Sequence, residues 1–244
     1  MEENKTPPAE SEKYKSALTG REAMAVLAYL PVHIWLLPLL LLALMNRGYL
    51  SGSQANFLCY GVGLVYMLIV ALGFLRRDFD PLCDRPGYCL LQILLAYITM
   101  VGFNLCVSLA LNLILGGSAA LENPNNAAVM ELSQADFGGI KAMAVFMAPV
   151  IEELMFRAGI FGQLRRYNRA AAYGLSMLAF SLYHVWAFAM VNPICWIYLL
   201  QYLPVSYLLC RCYERTESIW CPIFFHMLVN AITLQALSML EELL

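Results

Sequence analysis

The chain is divided into long apolar blocks, and their length constrains the fold more than any other feature. Seven predominantly apolar stretches, at about 23–45, 55–75, 88–115, 138–163, 170–190, 194–213 and 218–240, stand between polar connections. A helix of roughly 20 apolar residues crosses ~30 Å of hydrocarbon. The sequence therefore predicts an all-α, polytopic transmembrane helical bundle of about seven helices. Membrane-spanning β-strands would read as short alternating segments, and none is evident. Of the 244 residues, 61% are hydrophobic and 13% charged, against roughly 25% charged in soluble domains. A net charge of −2 offers no basic surface to nucleic acid.

Residues 1–22 form a polar segment with Pro7, Pro8 and charges of both signs, read as a tail preceding a transmembrane domain over 23–244. The first apolar block is too long for the h-region of a cleaved signal peptide, so it is expected to remain as a helix. Lys and Arg number 4, 1, 3, 0, 3, 0, 2 and 0 in the tail, the successive connections and the C-terminus. That alternation places the N-terminus in the cytoplasm and the C-terminus outside. Residues 116–137 read as a loop, with room for one short interfacial helix. The eight cysteines form no CxxC pair and read as small buried hydrophobes; Cys210 and Cys212, beside Arg211, are a secondary candidate for acylation.

Ionisable side chains inside membrane segments are costly and mark function by default. His33, between Pro31 and Trp35, is read as structural, and Lys141 as snorkelling from a segment end. Five others remain. On a helix Glu153 and Arg157 are four apart in the favourable acid-first order. Glu152 points about 100° away from Glu153 and is left without that partner. Pairing thus accounts for Glu153 and Arg157 and leaves Glu152 unexplained. One turn earlier, Pro149 loosens the helix that aims the carboxylates. Phe180 and His184 share a face of the fifth segment, and His226 and Asn230 a face of the seventh. Counted along helices, Glu152 stands 13 residues from Arg165, His184 15 from Arg169 and His226 nine from Glu217. These separations are about 20, 22 and 14 Å, so one cavity at intermediate depth can collect all three.

The ordered set Glu152-Glu153-x-x-x-Arg157, Phe180-x-x-x-His184 and His226-x-x-x-Asn230 resembles the three motifs of the CPBP family, the intramembrane CAAX-processing endopeptidases and bacteriocin-immunity (Abi) proteins. The resemblance covers about 138–235, with every motif position filled; the first three segments carry no recognised motif. It implies a peptidase whose site lies inside the bilayer of a prokaryotic plasma membrane and opens to the cytoplasm. By carry-over, Glu152 and His184 activate a water, His226 and Asn230 stabilise the oxyanion, and Glu153, Arg157 and Phe180 support the structure. Amide hydrolysis needs such a base and such donors.

The implied substrate is a hydrophobic or prenylated (CAAX-type) peptide or protein met among membrane lipids. A zinc version has Glu152, His184 and His226 as ligands, a known catalytic donor set. The H-E-x-x-H signature is missing, so water activation without a required metal is the first reading and zinc the alternative. Ser176 and Ser181 lie near His184 without a G-x-S-x-G elbow, and no glycine-rich nucleotide loop is present. The non-enzymatic alternative is a membrane scaffold or immunity protein whose polar residues only lock helices together. A transporter would favour a repeated half, which the sequence lacks.

Overall fold

The structure, a computed structural model, describes residues 16–114 and 123–241. Residues 1–15 of the expected tail and 116–122 of the expected loop lie outside the described residues. Among those described, the fold is all helical. The helices are α1 (Gly20–Asn46), α2 (Gly52–Arg77), α3 (Pro86–Ile114), α4 (Pro124–Ala135), α5 (137–165), α6 (Arg169–Val191), α7 (Leu199–Thr216) and α8 (Trp220–Glu241). Short helical turns at Asp80–Asp84 and Pro193–Tyr198 precede α3 and α7. Helix α4 is the short helix anticipated in the long connection.

Local chemistry sets the helix starts. Thr19 and Glu22 form a capping box that begins α1, and Ser51 and Gln54 form another that begins α2. Each box satisfies backbone donors that the first turn leaves without partners. Asn123, Asp136 and Asn168 accept backbone N–H groups at the starts of α4, α5 and α6. Helix α7 ends at Glu217, which adopts the left-handed conformation with φ 52°.

Among the described residues, six helical segments are long and apolar enough to cross a membrane, comprising α1, α2, α3, α6, α7 and α8 with their adjoining turns. Their outer faces carry exposed Leu39, Leu40, Ile69, Ile98, Leu105 and Leu113. That much exposed apolar surface suits contact with lipid rather than water. The chain is an integral membrane protein.

The remaining expected segment, the fourth in chain order and here α5, has three charges near its middle and a different placement. Residues Ile151 to Gly159 are all buried, and α5 touches α1, α2, α6, α7 and α8. The bundle encloses its charged helix, so the lipid-facing cost never arises. Small residues allow the close approach. A Cβ on Gly159 would come within 3.2 Å of Val26 and Leu27, and one on Gly63 within 3.0 Å of Ile151 and Tyr29. Small-residue crossings of this kind let membrane helices pack backbone to backbone.

The two ends of the bundle differ. One gathers the start of α1, the end of α2, the start of α3, the α5–α6 turn and the α7–α8 turn. There Asp78 accepts from Ser16 Oγ at 2.6 Å and from the backbone N–H of Ile219, and Ser218 Oγ donates to the Asp78 carbonyl at 2.7 Å. Glu214 holds Arg165 and Arg169, Arg166 donates to the Leu18 carbonyl at 3.0 Å, and Arg77 pairs with Glu22 at 2.8 Å. Of the 12 described Lys and Arg residues, nine lie at this end, Arg47 and Lys141 lie toward the other, and Arg157 is buried between them.

Candidate active site

Helix α5 aims its carboxylates through an unusually wide coil. Met143–Met147 and Glu153–Phe161 are π-helical, separated by one α-helical turn. Such widened turns are rare and recur at functional sites. The first has a visible cause. Within it the Ala148 N–H bonds to the Met143 carbonyl, five residues back. The next bond of that register would join residue 149 to Ala144, and Pro149 has no N–H. The Ala144 carbonyl instead accepts from Asn230 Nδ2 of α8 at 2.8 Å. A carbonyl without its helical partner needs another, and the side chain on α8 provides it.

The second widened stretch carries the buried ion pair. Arg157 Nη1 donates to Glu153 Oε1 at 3.1 Å, and Nη2 donates to Ser206 Oγ at 2.9 Å. The guanidinium carbon lies 4.1 Å from the centre of the Phe180 ring. Both charged side chains are fully enclosed. Glu153 has a second partner, His226 Nδ1, at 2.8 Å from the same Oε1. The expected support pair is therefore tied directly to an expected catalytic imidazole.

The Phe180 ring lies between the Arg157 guanidinium and the His184 imidazole. Its ring centre is 4.4 Å from that of His184 and 5.8 Å from that of His226. His184 is further fixed by Tyr202, stacked at 4.6 Å. Its Nδ1 lies 2.9 Å from the Phe180 carbonyl. A carbonyl only accepts, so Nδ1 carries the hydrogen and the neutral ring turns an accepting Nε2 outward. The same reasoning applies to His226 against the Glu153 carboxylate. Both Nε2 atoms face Glu152 Oε2, at 3.6 Å for His184 and 3.9 Å for His226. Those separations are too long for direct hydrogen bonds and suit a shared small polar molecule. Glu152 Oε2 is itself buried without a hydrogen-bond partner among the described residues.

These groups form the floor of a cavity of about 480 Å³. Its walls follow α5 back from Glu152 to Met143, α6 from Phe180 to Phe188 and α8 from His226 to Leu237. Every one of these directions leads toward the arginine-poor end. On the other side of the floor, Glu153, Arg157 and Phe156 are buried and close the bundle. An N-terminus in the cytoplasm and a site opening there, both expected from the sequence, thus pull apart.

The structure brings Glu152, Glu153, Arg157, Phe180, His184, His226 and Asn230 together. Sequence reasoning missed Ser206 and Tyr202 on α7 and two hydroxyls in the cavity wall. Tyr60 and Tyr183 place their hydroxyls 3.1 Å apart, and Tyr183 lies 3.2 Å from Nε2 of His33. His33, read as structural, is buried and belongs to this series of polar groups. Ser176 donates to the Phe156 carbonyl at 2.8 Å and so joins α6 to α5.

As zinc ligands the three donors are too widely spread. Two donors on one tetrahedral zinc at ~2.1 Å stand about 3.4 Å apart, whereas His226 lies 3.9 Å from Glu152. Among the described residues no group of three or more His, Cys, Asp or Glu is spaced to hold a metal ion. The arrangement as it stands does not fit zinc.

No curated protein and no solved structure matches the sequence. Residues 139–232 match the family model described as Rce1-like, type II CAAX prenyl endopeptidase. The matched segment begins at the start of α5, ends within α8 and contains all three motifs. Over residues 139–232 the protein is similar to the Rce1-like endopeptidases, in agreement with the CPBP resemblance of its motifs.

Proposed function

We propose that this protein is an intramembrane endopeptidase that hydrolyses a hydrophobic or prenylated peptide, using Glu152 and His184 to activate water. The observation that carries this reading is the convergence of two imidazole Nε2 atoms on the buried, unpartnered Oε2 of Glu152. A water held there donates one hydrogen to Glu152 and the other to His184 Nε2. As its oxygen attacks the scissile carbonyl, Glu152 takes the proton and later passes it to the leaving amine. The carbonyl becomes an oxyanion that needs donors. His226 donates from Nε2 only as an imidazolium, because its Nδ1 hydrogen is committed to Glu153. Asn230 lines the same cavity; one Nδ2 hydrogen is engaged by Ala144, and the second is the one offered to the oxyanion.

This scheme runs through the protein's own groups and has no step at a metal. The membrane is read as a prokaryotic plasma membrane, with the arginine-rich end in the cytoplasm by the positive-inside rule. The alternative, a scaffold held together by polar contacts, explains the Glu153–Arg157 pair but gives Glu152 no task.

The test is cleavage of a library of hydrophobic and prenylated peptides by the purified protein in nanodiscs, read by mass spectrometry. Glu152→Gln keeps size and shape while removing the base, and is expected to lower cleavage by about 10²–10⁴-fold. Equal cleavage by both proteins would sink the assignment of Glu152. A chelator, added to the active protein, is expected to leave the rate unchanged.

A further inference from the structure

Two hydroxyls of the cavity wall lead away from the catalytic floor to a third histidine. Tyr60 on α2 and Tyr183 on α6 are half-buried and line the cavity with Glu152. The Glu152 carboxylate acts on both hydroxyls through space, and the Tyr183 ring meets that of His184 edge-on at 5.1 Å. The row continues from Tyr60 OH to Tyr183 OH at 3.1 Å and on to His33 Nε2 of α1 at 3.2 Å. Behind it, His33 Nδ1 and Tyr29 OH are both buried without a hydrogen-bond partner among the described residues. They share one notch: a Cβ on Gly63 would stand 3.6 Å from Nδ1 and 3.0 Å from Tyr29 OH.

The helix is shaped around His33. Val32–Leu36 is a widened turn in which the Leu37 N–H bonds to the Val32 carbonyl, five residues back. Pro38 follows and has no N–H to continue that register. The same device precedes Glu152 in α5, and such turns recur at functional sites.

Counting hydrogens fixes the direction of the row. With a neutral imidazole, Tyr29, His33, Tyr183 and Tyr60 each carry one polar hydrogen. One hydrogen is left over at an end. If His33 held its hydrogen on Nδ1, Nε2 would accept from Tyr183 and Tyr183 from Tyr60, and the spare hydrogen would be that of Tyr29 in a dry notch. An orphaned buried donor is costly. With the hydrogen on Nε2, Tyr29 instead shares its notch with an accepting Nδ1. His33 then donates to Tyr183, Tyr183 donates to Tyr60, and the spare hydrogen emerges from Tyr60 into the cavity. This is the opposite tautomer from His184 and His226.

We propose that Tyr60 is a further catalytic residue, its hydroxyl donating a hydrogen bond to the carbonyl oxygen of the bond being cleaved, with Tyr183 and His33 as positioning residues that set its direction. The inference rests on the hydrolase reading above and adds a neutral donor to its oxyanion site. There His226 donates only as an imidazolium, and Asn230 has one hydrogen left.

Two measurements test it. In nanodiscs, with a prenylated decapeptide as substrate, Tyr60→Phe should lower kcat about tenfold and leave KM near the wild-type value, the signature of a bond made in the transition state. Tyr183→Phe alone should lower kcat about threefold, and added to Tyr60→Phe it should cost nothing more. Losses that multiply, a change confined to KM, or wild-type kcat in Tyr60→Phe would overturn the inference, while a large loss in Glu152→Gln would keep the hydrolase reading. Absence of Glu152-dependent cleavage by the wild type would refute that reading and this inference with it. Independently of activity, nitrogen NMR of the three histidines, with His33 assigned by difference from a His33→Gln variant, should show its hydrogen on Nε2. A hydrogen on Nδ1 would reverse the row and remove the donor from the cavity.

Discussion

The two halves of the bundle use polar residues in opposite ways. On the arginine-rich side of the floor, ionised groups meet partners at close range: Glu153 with Arg157, Glu214 with Arg165 and Arg169, and Glu22 with Arg77. On the other side, neutral amides, hydroxyls and a larger share of apolar side chains surround open space. Glu152 stands on the boundary, adjacent in sequence to a carboxylate that is fully committed. The difference teaches why two consecutive glutamates occur. The first faces the cavity and keeps an oxygen without a hydrogen-bond partner. The second binds Arg157 and His226 and seals what lies behind.

The comparison breaks most severely at Arg157. Arg157→Met would leave the Glu153 carboxylate enclosed with only His226 to answer it. Removing one partner of a buried pair typically costs about 3–5 kcal/mol, because the other charge is left uncompensated. The expected outcome is a large fall in the thermal unfolding temperature in detergent. Adding Glu153→Gln should recover much of the loss, since a neutral amide still offers His226 an accepting oxygen. Two losses that simply add would mean that the pair contributes independently, contrary to this geometry.

Much of the architecture was legible because it depends on short-range pattern. Apolar block length located the spanning helices, and four-residue spacing placed Glu153 with Arg157, Phe180 with His184 and His226 with Asn230. Spacing could not show that α5 is the enclosed helix, since enclosure is decided by what the other helices place around it. Nor could it find Ser206, Tyr60 or Tyr202, common residue types whose partners lie far away in sequence. His33 is the clearest case: its partner Tyr183 is 150 residues distant. Pro149 was visible and correctly suggested a disturbed helix. That the freed carbonyl belongs to Ala144 and is taken by Asn230 follows only from the register of the widened turn. The direction of the cavity was likewise invisible, because motif depth says nothing about which end is closed.

Asn230 joins the two halves, and its two hydrogens can be separated experimentally. Asn230→Ala should lower cleavage by about 10²–10³-fold if the second hydrogen serves the oxyanion. It should also lower stability by about 1 kcal/mol, the net loss of one hydrogen bond at a half-buried carbonyl. Adding Pro149→Ala restores an N–H that can extend the wide turn by one bond to Ala144. Unfolding temperature is then expected to recover while cleavage stays low. Recovery of both would make Asn230 a positioning residue whose whole task is to hold α5.

The smallest expected effect lies at the outer edge of the arginine-rich end. Arg77 and Glu22 are 2.8 Å apart, but the Arg77 side chain is 54% exposed. Exposed pairs contribute about 0–1 kcal/mol, and salt screens them. Arg77→Gln should therefore change unfolding temperature by no more than a degree or two, roughly the scale for a fraction of a kcal/mol in a domain of this size. Cleavage should not change at all.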